Sequence, residues 1–397
     1  MKPFWPLAAN SWGPHERAAA HAVIDGEQQT MGVKVREFET AFAWHVGSRH
    51  AVMTNSGSSA NLLAVAALQH SVDRDPWYND PGSVMVPAIA WPTTYSPFQQ
   101  YGFNLIVCDV DPQTLNVDMD QINNAEYSGS DIKMVVGASI LGTPAPLVEL
   151  QNYCVKHRLL FMEDNCESLG AKIGDKHCGT FGDVGTFSFF FSHHLNTTEG
   201  GMLVTDNQEL YELAVCLRAH GWARDLPPNS PLRPVAEAGD PSGAYQFILP
   251  GYNVRPTELA AAVGLVQLKR LVSFELDRRV NCFEFQALFA DDERWTIQRL
   301  DGHAVPFGFT LVFRTRTERG RASRAMEGAG IEHRLITGGS FARHPAAAAH
   351  YDWRYATPGG TPHADHAHDC GLFVGNHATD LTEQIRTLHA ILDKEIK

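Results

Sequence analysis

The chain lacks an excess of positive charge. Its 397 residues include 32 Lys and Arg against 45 Asp and Glu, a formal net charge of −13. General binding to nucleic acids or anionic membranes needs a basic footprint, so this balance speaks against both. No apolar run approaches the roughly 20 residues of a membrane span, and the first ten residues lack the apolar core of a signal peptide. We therefore expect a cytoplasmic protein that can still bind an anionic small molecule through local arginines.

Cysteine is also scarce and scattered. The seven cysteines are never closer than 12 residues apart, and there is no Cys-x-x-Cys. Disulfide frameworks and cysteine-ligated metal centres need suitably paired or spaced cysteines. We expect free thiols in a reducing compartment and no metal site.

Short β-rich runs alternate with helical stretches through the first half of the chain. This alternation favours an α/β domain with a mostly parallel sheet and helices on both faces. The predicted strands are 51–53, 84–87, 105–110, 134–138, 159–163, 185–190 and 202–205. The predicted helices include two within 14–46 and four at 60–69, 94–101, 147–157 and 208–220.

The pattern changes after a loop-like region rich in Pro, Gly, Asn and Asp at 221–251. A helix is predicted to begin after Pro256 and to continue past Leu271. Further on, 303–313 alternates like an exposed strand, 322–329 and 381–395 look helical, and 331–336 looks like a strand. We predict an N-terminal arm and large domain over 1–274 and a smaller α+β domain over 275–397.

Two segments carry N–H and hydroxyl groups that are suited to binding a phosphate group. The turn at 54–61 is small and polar and lies between a strand and a helix, so the backbone N–H groups near Gly57 and Ser58 suit an anion. A Ser-rich turn is more often a helix cap. Ser188, near the end of a later predicted strand, adds a second hydroxyl.

Two more residues suit a flat, charged ring. Asp164 follows an apolar strand, and side chains at the carboxyl ends of strands lie at the ligand-binding edge of an α/β sheet. Trp91 also follows a strand and could stack on a planar group. Taken alone, Asp164 reads as a helix cap and Trp91 as a core residue.

Residues 187–201, Phe-Ser-Phe-Phe-Phe-Ser-His-His-Leu-Asn-Thr-Thr-Glu-Gly-Gly, carry the most specific pattern. They resemble the lysine-bearing strand and turn of the DegT/StrS-type sugar aminotransferases. Counting back six residues from Glu199 places His193 where that family keeps the lysine that binds pyridoxal phosphate (PLP). Imidazole cannot hold this coenzyme covalently, but it can transfer protons near neutral pH. His194 is the alternative base; we expect the two rings to point in opposite directions along an extended segment.

The resemblance implies an aspartate-aminotransferase fold and a PLP or pyridoxamine phosphate cofactor. In the family, the aspartate matching Asp164 pairs with the pyridine nitrogen, and Glu167 matches a position near the ring. The turn at Gly57 and Ser58, together with Ser188, matches the phosphate site, and Trp91 matches the stacking face. Residues 251–255, Gly-Tyr-Asn-Val-Arg, resemble a segment that reaches across a homodimer. There Asn253 would contact the partner's cofactor phosphate, so the active sites would be shared.

Further stretches, at 31–32, 192–194, 218–224 and 251–256, resemble a branch of the family that removes a sugar hydroxyl. The implied reaction is 3-dehydration of a nucleotide-linked 4-keto-6-deoxyhexose, with GDP-4-keto-6-deoxy-D-mannose as the first expectation and glutamate as amino donor. His193 would be the base, and the products would be 2-oxoglutarate, ammonia and a 4-keto-3,6-dideoxy sugar nucleotide. The candidate substrate contacts are His220, Arg224, Arg255 and Arg334, each of which can equally be a structural or surface residue.

Several alternatives remain open. A CDP- or dTDP-sugar 3-dehydratase fits the same pattern, whereas an ordinary nucleotide-sugar aminotransferase is disfavoured because Lys172 and Lys176 are out of register. An iron–sulfur 3-dehydratase is disfavoured by the cysteine spacing. A catalytically silent PLP-binding regulator would also lose the lysine, but it would have no chemical need for Asp164, Ser188 and Asn253.

Overall fold

The predicted alternation of strands and helices builds one large mixed sheet. We used a computed structural model, which describes residues 3–71, 81–125, 132–234, 241–300 and 303–397. Its eight-stranded sheet has the order β1-β9-β8-β5-β4-β2-β3-β13. The strands from β8 through β5, β4, β2 and β3 to β13 pair in parallel, whereas β9 pairs antiparallel with both β1 and β8. All seven strands predicted between 51 and 205 are confirmed, to within a few residues at each end.

The strands are short, and those of the large sheet's centre are buried on both faces, as expected for a parallel sheet covered by helices. In chain order they are β1 His50–Thr54, β2 Ser83–Pro87, β3 Asn104–Cys108, β4 Ile132–Ala138, β5 Leu160–Asp164, β6 Lys172–Ile173, β7 Lys176–His177, β8 Val184–Ser188, β9 Gly201–Thr205, β10 Trp295–Thr296, β11 Gly308–Phe313, β12 His333–Arg334, β13 Trp353–Tyr355 and β14 Gly371–Gly375. Strands β6 and β7 form a separate two-stranded ribbon.

The helices confirm the predicted pattern and include one long element. They are α1 Pro14–Ile24, α2 Val33–Val46, α3 Gly57–His70, α4 Pro92–Gln100, α5 Met119–Asn123, α6 Leu147–His157, α7 Gln208–Arg218, α8 Glu258–Phe289, α9 Arg316–Gly328, α10 Pro345–His350, α11 Pro362–Cys370 and α12 Thr382–Glu395. Helix α8 packs against α1 and α2 near its start and against α12 further along. Among the described residues, no helix combines the length and apolarity needed to cross a membrane.

A second sheet lies in the C-terminal part, with the antiparallel order β10-β11-β14-β12. The strand predicted at 303–313 is confirmed over Gly308–Phe313, but its predicted exposure was wrong, because every residue of β11 is buried. Phe309, Leu311 and Phe313 face a core shared with α12, while Val312 faces the main core of the large sheet. The strand predicted at 331–336 is only the two residues of β12, and β10 and β14 were not predicted.

The division into 1–274 and 275–397 stays a prediction, and two features bear on it. Residue 274 lies inside the continuous helix α8. In addition, β13 extends the large sheet beside β3, with Trp353 opposite Leu105 and Tyr355 opposite Val107. The C-terminal segment therefore contributes a strand to the large sheet as well as forming its own.

A buried carboxylate joins the N-terminal arm to the start of α8. Glu258 is 4% exposed, and it accepts hydrogen bonds from the backbone N–H groups of Gly32 and Val35 through Oε1, at 2.8 and 2.9 Å, and from Lys34 through Oε2, at 2.8 Å. These N–H groups open helix α2 and have no partner within the helix, so the carboxylate caps the positive end of the helix dipole.

We predict that Glu258→Gln lowers the free energy of unfolding by about 2 kcal/mol, because the amide turns a donor toward backbone N–H groups and removes a charged acceptor. Chemical denaturation measures the change. Glu37→Gln, on the capped helix α2, is the control, since the exposed ion pair of Glu37 with Lys34 is worth about 0.5 kcal/mol or less. Equal effects in the two variants would contradict the capping role.

Candidate functional site

The polar turn after β1 and the end of β8 meet at the N-terminus of α3. Ser56 caps the helix by accepting a hydrogen bond from the Ser59 N–H at 3.0 Å. A Cβ atom at Gly57 would lie 2.5 Å from Ser188 Cβ and 2.9 Å from Cys166 Sγ, so only glycine fits there. The close approach sets the Ser188 hydroxyl beside the free N–H groups of a 14-residue helix. This arrangement suits a phosphate dianion.

Asp164 ends β5 and is held by three donors. Its Oδ2 accepts from Asn61 Nδ2 at 2.8 Å and from Thr94 Oγ1 at 2.7 Å, and its Oδ1 accepts from the Cys166 N–H at 3.1 Å. A carboxylate has about four acceptor positions, so one remains for a further donor. Asp164 is 6% exposed, and its orientation is fixed before any ligand binds.

Glu167, in the loop after β5, links two backbone segments. Its Oε2 accepts from the Leu141 N–H at 3.0 Å and from Thr337 Oγ1 at 3.1 Å. Burial raises the pKa of Glu167 to about 7, against the lowering effect of these two hydrogen bonds. Leu141 and Thr337 both have positive φ, at 52° and 42°, which is rare for residues with a side chain.

Trp91 precedes α4 and is 52% exposed. The loop at 336–339 lies nearby: a Cβ on Gly338 would be 3.8 Å from the Trp91 ring. Helix α4 also carries Thr94, the donor to Asp164, so the ring and the carboxylate are positioned by one element. Trp91 is therefore not a core residue, and its indole can stack on a planar ligand.

His193 and His194 lie in a turn after β8, where the His193 N–H donates to the Phe190 carbonyl at 2.9 Å. The prediction of an extended segment with opposed rings was wrong. Both imidazoles lie near the Phe307 ring, with centroids 5.0 and 5.9 Å away, because the turn brings the two neighbouring side chains to the same side, against Phe307.

The two imidazoles nevertheless differ in their partners. His194 is 2% exposed, and its Nε2 lies 2.9 Å from the Val305 carbonyl, which occupies that nitrogen in a structural contact. His193 is half-buried, and its Nδ1 has no hydrogen-bond partner. Burial, with the Arg278 cation as a second cause, lowers the pKa of His193 to about 3. At neutral pH this imidazole is uncharged and able to accept a proton.

The segment at 251–255 lies against the turn after β1. The Asn55 N–H donates to the Val254 carbonyl at 3.1 Å, and Asn253 is exposed beside it. Arg255 donates through Nε to Asn253 Oδ1 at 3.0 Å. His220 is exposed as well, with φ of 67°, and its N–H donates to the Tyr252 carbonyl at 2.6 Å.

The other two candidate arginines lie elsewhere. Arg224 stacks on the Trp222 ring at 4.0 Å and pairs with Asp225 at 3.0 Å. Arg334 is exposed on β12 and lines a cleft of about 440 Å³ that also contains Glu332. The described residues include no contact between either guanidinium and the His193 turn. Their substrate roles stay predictions, as do those of the other candidate residues.

Sequence reasoning missed the residues that support the site. Asn61 and Thr94 hold Asp164, and Thr94 was visible in the Trp-Pro-Thr-Thr run after β2. Thr337, Phe307 and Arg278 had no local signal, because they come from distant segments. Within the described ranges, no group of three or more His, Cys, Asp or Glu side chains could hold a metal ion.

A family model describes residues 11–391 of this chain, that of the DegT/DnrJ/EryC1/StrS aminotransferase family. The chain belongs to that family. The assignment of His193 to the family's lysine position stays a prediction; Lys172 and Lys176 lie in the β6–β7 ribbon, where Lys176 stacks on Phe181 at 4.5 Å.

Among curated relatives, the GDP-4-keto-6-deoxy-D-mannose 3-dehydratase of Yersinia pseudotuberculosis is 40% identical over 392 residues, covering 98% of each chain. Two solved structures of GDP-4-keto-6-deoxymannose 3-dehydratase are also similar. One contains a trapped PLP–glutamate geminal diamine, and the other is a variant with bound GDP-perosamine. Each has a TM-score of 0.92 and 37% identity, covering 98% of this chain and all of the other.

The lowered pKa of His193 predicts an acid-sensitive contribution to stability. In the unfolded chain an imidazole titrates near 6.5, so between pH 6.5 and 3 the unfolded state binds a proton that the folded state does not. The free energy of unfolding therefore falls as pH decreases through this window. Because His193 is partly exposed, we expect a loss of about 1 kcal/mol from this group between pH 7 and pH 5.

Urea denaturation at several pH values tests this expectation. His193→Asn should lose less stability than the wild type between pH 7 and pH 5, by about 1 kcal/mol. The same substitution at exposed His15, on α1, serves as the control. Parallel pH dependences in wild type and His193→Asn would refute the expectation.

Proposed function

We propose that the chain is a PLP- and pyridoxamine-phosphate-dependent 3-dehydratase of a nucleotide-linked 4-keto-6-deoxyhexose. The proposed substrate is GDP-4-keto-6-deoxy-D-mannose, and glutamate is the amino donor. The products are 2-oxoglutarate, ammonia and a 4-keto-3,6-dideoxy sugar nucleotide. Similarity over nearly the full length to enzymes of this name supports the assignment, and so do the PLP–glutamate adduct and the GDP-sugar in the solved relatives.

The residues of this chain fit the cofactor. Gly57, Ser58 and Ser188 form the phosphate cradle, where any side chain at position 57 would collide with Ser188. Asp164 has an acceptor position left for the pyridine nitrogen, and exposed Trp91 offers a stacking face. Glu167 lies three residues beyond Asp164 and is proposed to contact the ring. When bound, the cofactor supplies an electron sink for negative charge that develops next to its C4′ atom.

The observation that carries the proposal is the partly exposed, uncharged imidazole of His193 in the turn after β8, the position we assign to the family's lysine. The His193 ring is partly exposed, whereas His194 is 2% exposed with its Nε2 on the Val305 carbonyl, so His193 is the imidazole proposed to accept the proton from the carbon beside the ring. Once protonated, it can donate to the departing C3 hydroxyl. Because this position carries no primary amine, no protein nitrogen there can displace the sugar's nitrogen. The nitrogen therefore leaves as ammonia after the sugar product separates.

The substrate contacts are assigned by charge and position. His220 and Arg255 lie beside the Asn253 segment, next to the phosphate turn, and can approach a sugar bound there. Arg224 and Arg334 are assigned to the diphosphate or carboxylate groups, which a guanidinium binds with two donors. To bind a ligand oxygen, Arg224 would have to exchange its Asp225 partner.

We predict that His193→Asn lowers turnover of GDP-4-keto-6-deoxy-D-mannose at least 100-fold, since removal of a general base typically costs 10²–10⁴. PLP binding, followed by absorbance, should persist because the phosphate cradle is intact. His15→Asn is the control. Turnover is measured with PLP, glutamate and a panel of GDP-, CDP- and dTDP-linked 4-keto sugars, with ammonia and product mass as readouts.

The panel separates the alternatives. An amino sugar as the main product would identify an aminotransferase. Preferred turnover of a CDP- or dTDP-linked sugar would change the substrate, and PLP binding without turnover of any sugar would favour a regulator. Near-wild-type ammonia release by His193→Asn would remove this residue from the mechanism.

We further propose a homodimer with shared sites. Asn253 is exposed on a segment whose backbone is fixed by Asn55 and by α7, through hydrogen bonds to the carbonyls of Leu217 and Arg218. A rigid, exposed amide beside the phosphate turn can reach the equivalent site of a second copy across a two-fold axis. The cytoplasmic location stays a prediction; all seven cysteines lie in the described part and are free. A 3,6-dideoxy sugar such as colitose for a lipopolysaccharide O-antigen is the proposed use of the product.

Subunit mixing tests the shared site. We expect His193→Asn and Asn253→Asp each to be inactive alone, the second because a carboxylate would face the phosphate. Mixed dimers would contain one site with both native residues, so random mixing should restore roughly a quarter of wild-type activity. A mixture that exchanges subunits, as mass measurement can verify, yet stays inactive would refute a site built from both copies.

A further inference from the structure

Helix α8 places an arginine in the interior without an anionic partner. Arg278 is 5% exposed, and burial lowers its pKa to about 10, so it is still a cation at neutral pH. Within the described residues it makes no ion pair, and its Nε has no hydrogen-bond partner. An unpaired buried charge is costly, which calls for a functional explanation.

The Arg278 guanidinium contacts the segment at 305–307, which lies against the His193 turn. Arg278 Nη1 donates to the Phe307 carbonyl at 3.4 Å and to the Asn376 carbonyl. Asn376 Nδ2 in turn donates to the Pro306 carbonyl at 2.9 Å and to the Arg278 carbonyl at 3.0 Å. The Phe307 N–H donates to the Leu141 carbonyl at 2.9 Å. The Phe307 backbone is thus held from both sides.

We propose that Arg278 is a positioning residue for His193: through its hydrogen bond to the Phe307 carbonyl it holds Phe307 against the imidazole, so that the guanidinium charge acts on that ring. This inference rests on the proposed role of His193 as base. The Phe307 ring is 5.0 Å from His193, centroid to centroid, so a shift of the 305–307 backbone would move the base relative to its substrate.

The same cation acts on two further imidazoles. These are His194, on the same turn as His193, and His377, after β14; burial lowers the pKa of each, with a contribution from Arg278. Arg278 is also the named charge that lowers the pKa of His193, second to burial. A single buried cation thus disfavours protonation of all three imidazoles.

The test uses PLP-loaded protein with labelled histidine and follows the His193 imidazole by NMR, assigned by its absence in His193→Asn. Arg278→Gln keeps a donor but removes the charge, so the titration of His193 should move up by about one pH unit. Arg278→Lys keeps the charge, and the titration should stay near that of the wild type. Arg278→Met is the second neutral variant if Arg278→Gln does not fold.

Arg279→Gln is the matched control, because Arg279 is adjacent on α8 and its Nε donates to the Ala304 carbonyl of the same segment at 3.2 Å. We expect its titration and turnover to be unchanged, whereas Arg278→Gln should lower kcat about tenfold with KM and PLP affinity retained. An unmoved titration in the neutral variants, or an equal shift in Arg279→Gln, would overturn the proposal. The NMR arm needs no sugar, so it gives its answer even if no sugar nucleotide is turned over.

Discussion

The close approach of Ser188 to Gly57 is the contact on which the rest of the site depends. It joins the end of β8 to the first turn of α3, and it exists because glycine leaves no side chain between them. Gly201 has the same role on the neighbouring strand, where a Cβ would collide with the Ser56 carbonyl. With these backbones in contact, the helix N-terminus, the serine hydroxyl and the chain leading to His193 are all placed by the sheet. The residues proposed to hold a coenzyme, Trp91 and Asp164, are positioned from the same edge of the sheet.

The proposed chemistry at the coenzyme ring depends on a second constraint. The imidazoles of His193 and His194 are uncharged, and the buried cation of Arg278 acts on both. Replacing a lysine by histidine removes a covalent anchor, yet it does not by itself make a base. The surroundings set the state of the imidazole: Phe307 lies against it, the turn gives His193 and His194 different partners, and burial together with the Arg278 guanidinium keeps it uncharged. The proposed function on this fold therefore depends both on histidine in place of lysine and on the residues that surround that histidine.

The polar network ties this environment to the rest of the fold. Glu167 accepts from Leu141, whose carbonyl accepts from Phe307, and Phe307 lies between His193 and Arg278. Helix α8 carries Arg278 on the same element that begins with the Glu258 cap of the N-terminal arm. The arm, the large sheet and the C-terminal segment therefore all contribute to the surroundings of the site. Strand β13 and the loop at 336–339 lie late in the chain, yet β13 pairs with β3 and the loop lies near Trp91.

The sequence by itself determined the α/β order of the first 220 residues, because each buried strand is a short apolar run and each amphipathic helix repeats its apolar residues at helical spacing. It also predicted His193 for the family's lysine position, by counting back from Glu199 within residues 187–201. Only the tertiary structure decided which imidazole is free, because Val305 and Phe307 arrive from more than 100 residues away. The buried character of β11 and the edge position of β13 were likewise decided there. A strand's burial depends on what covers its two faces, and those partners leave no mark on its own residues.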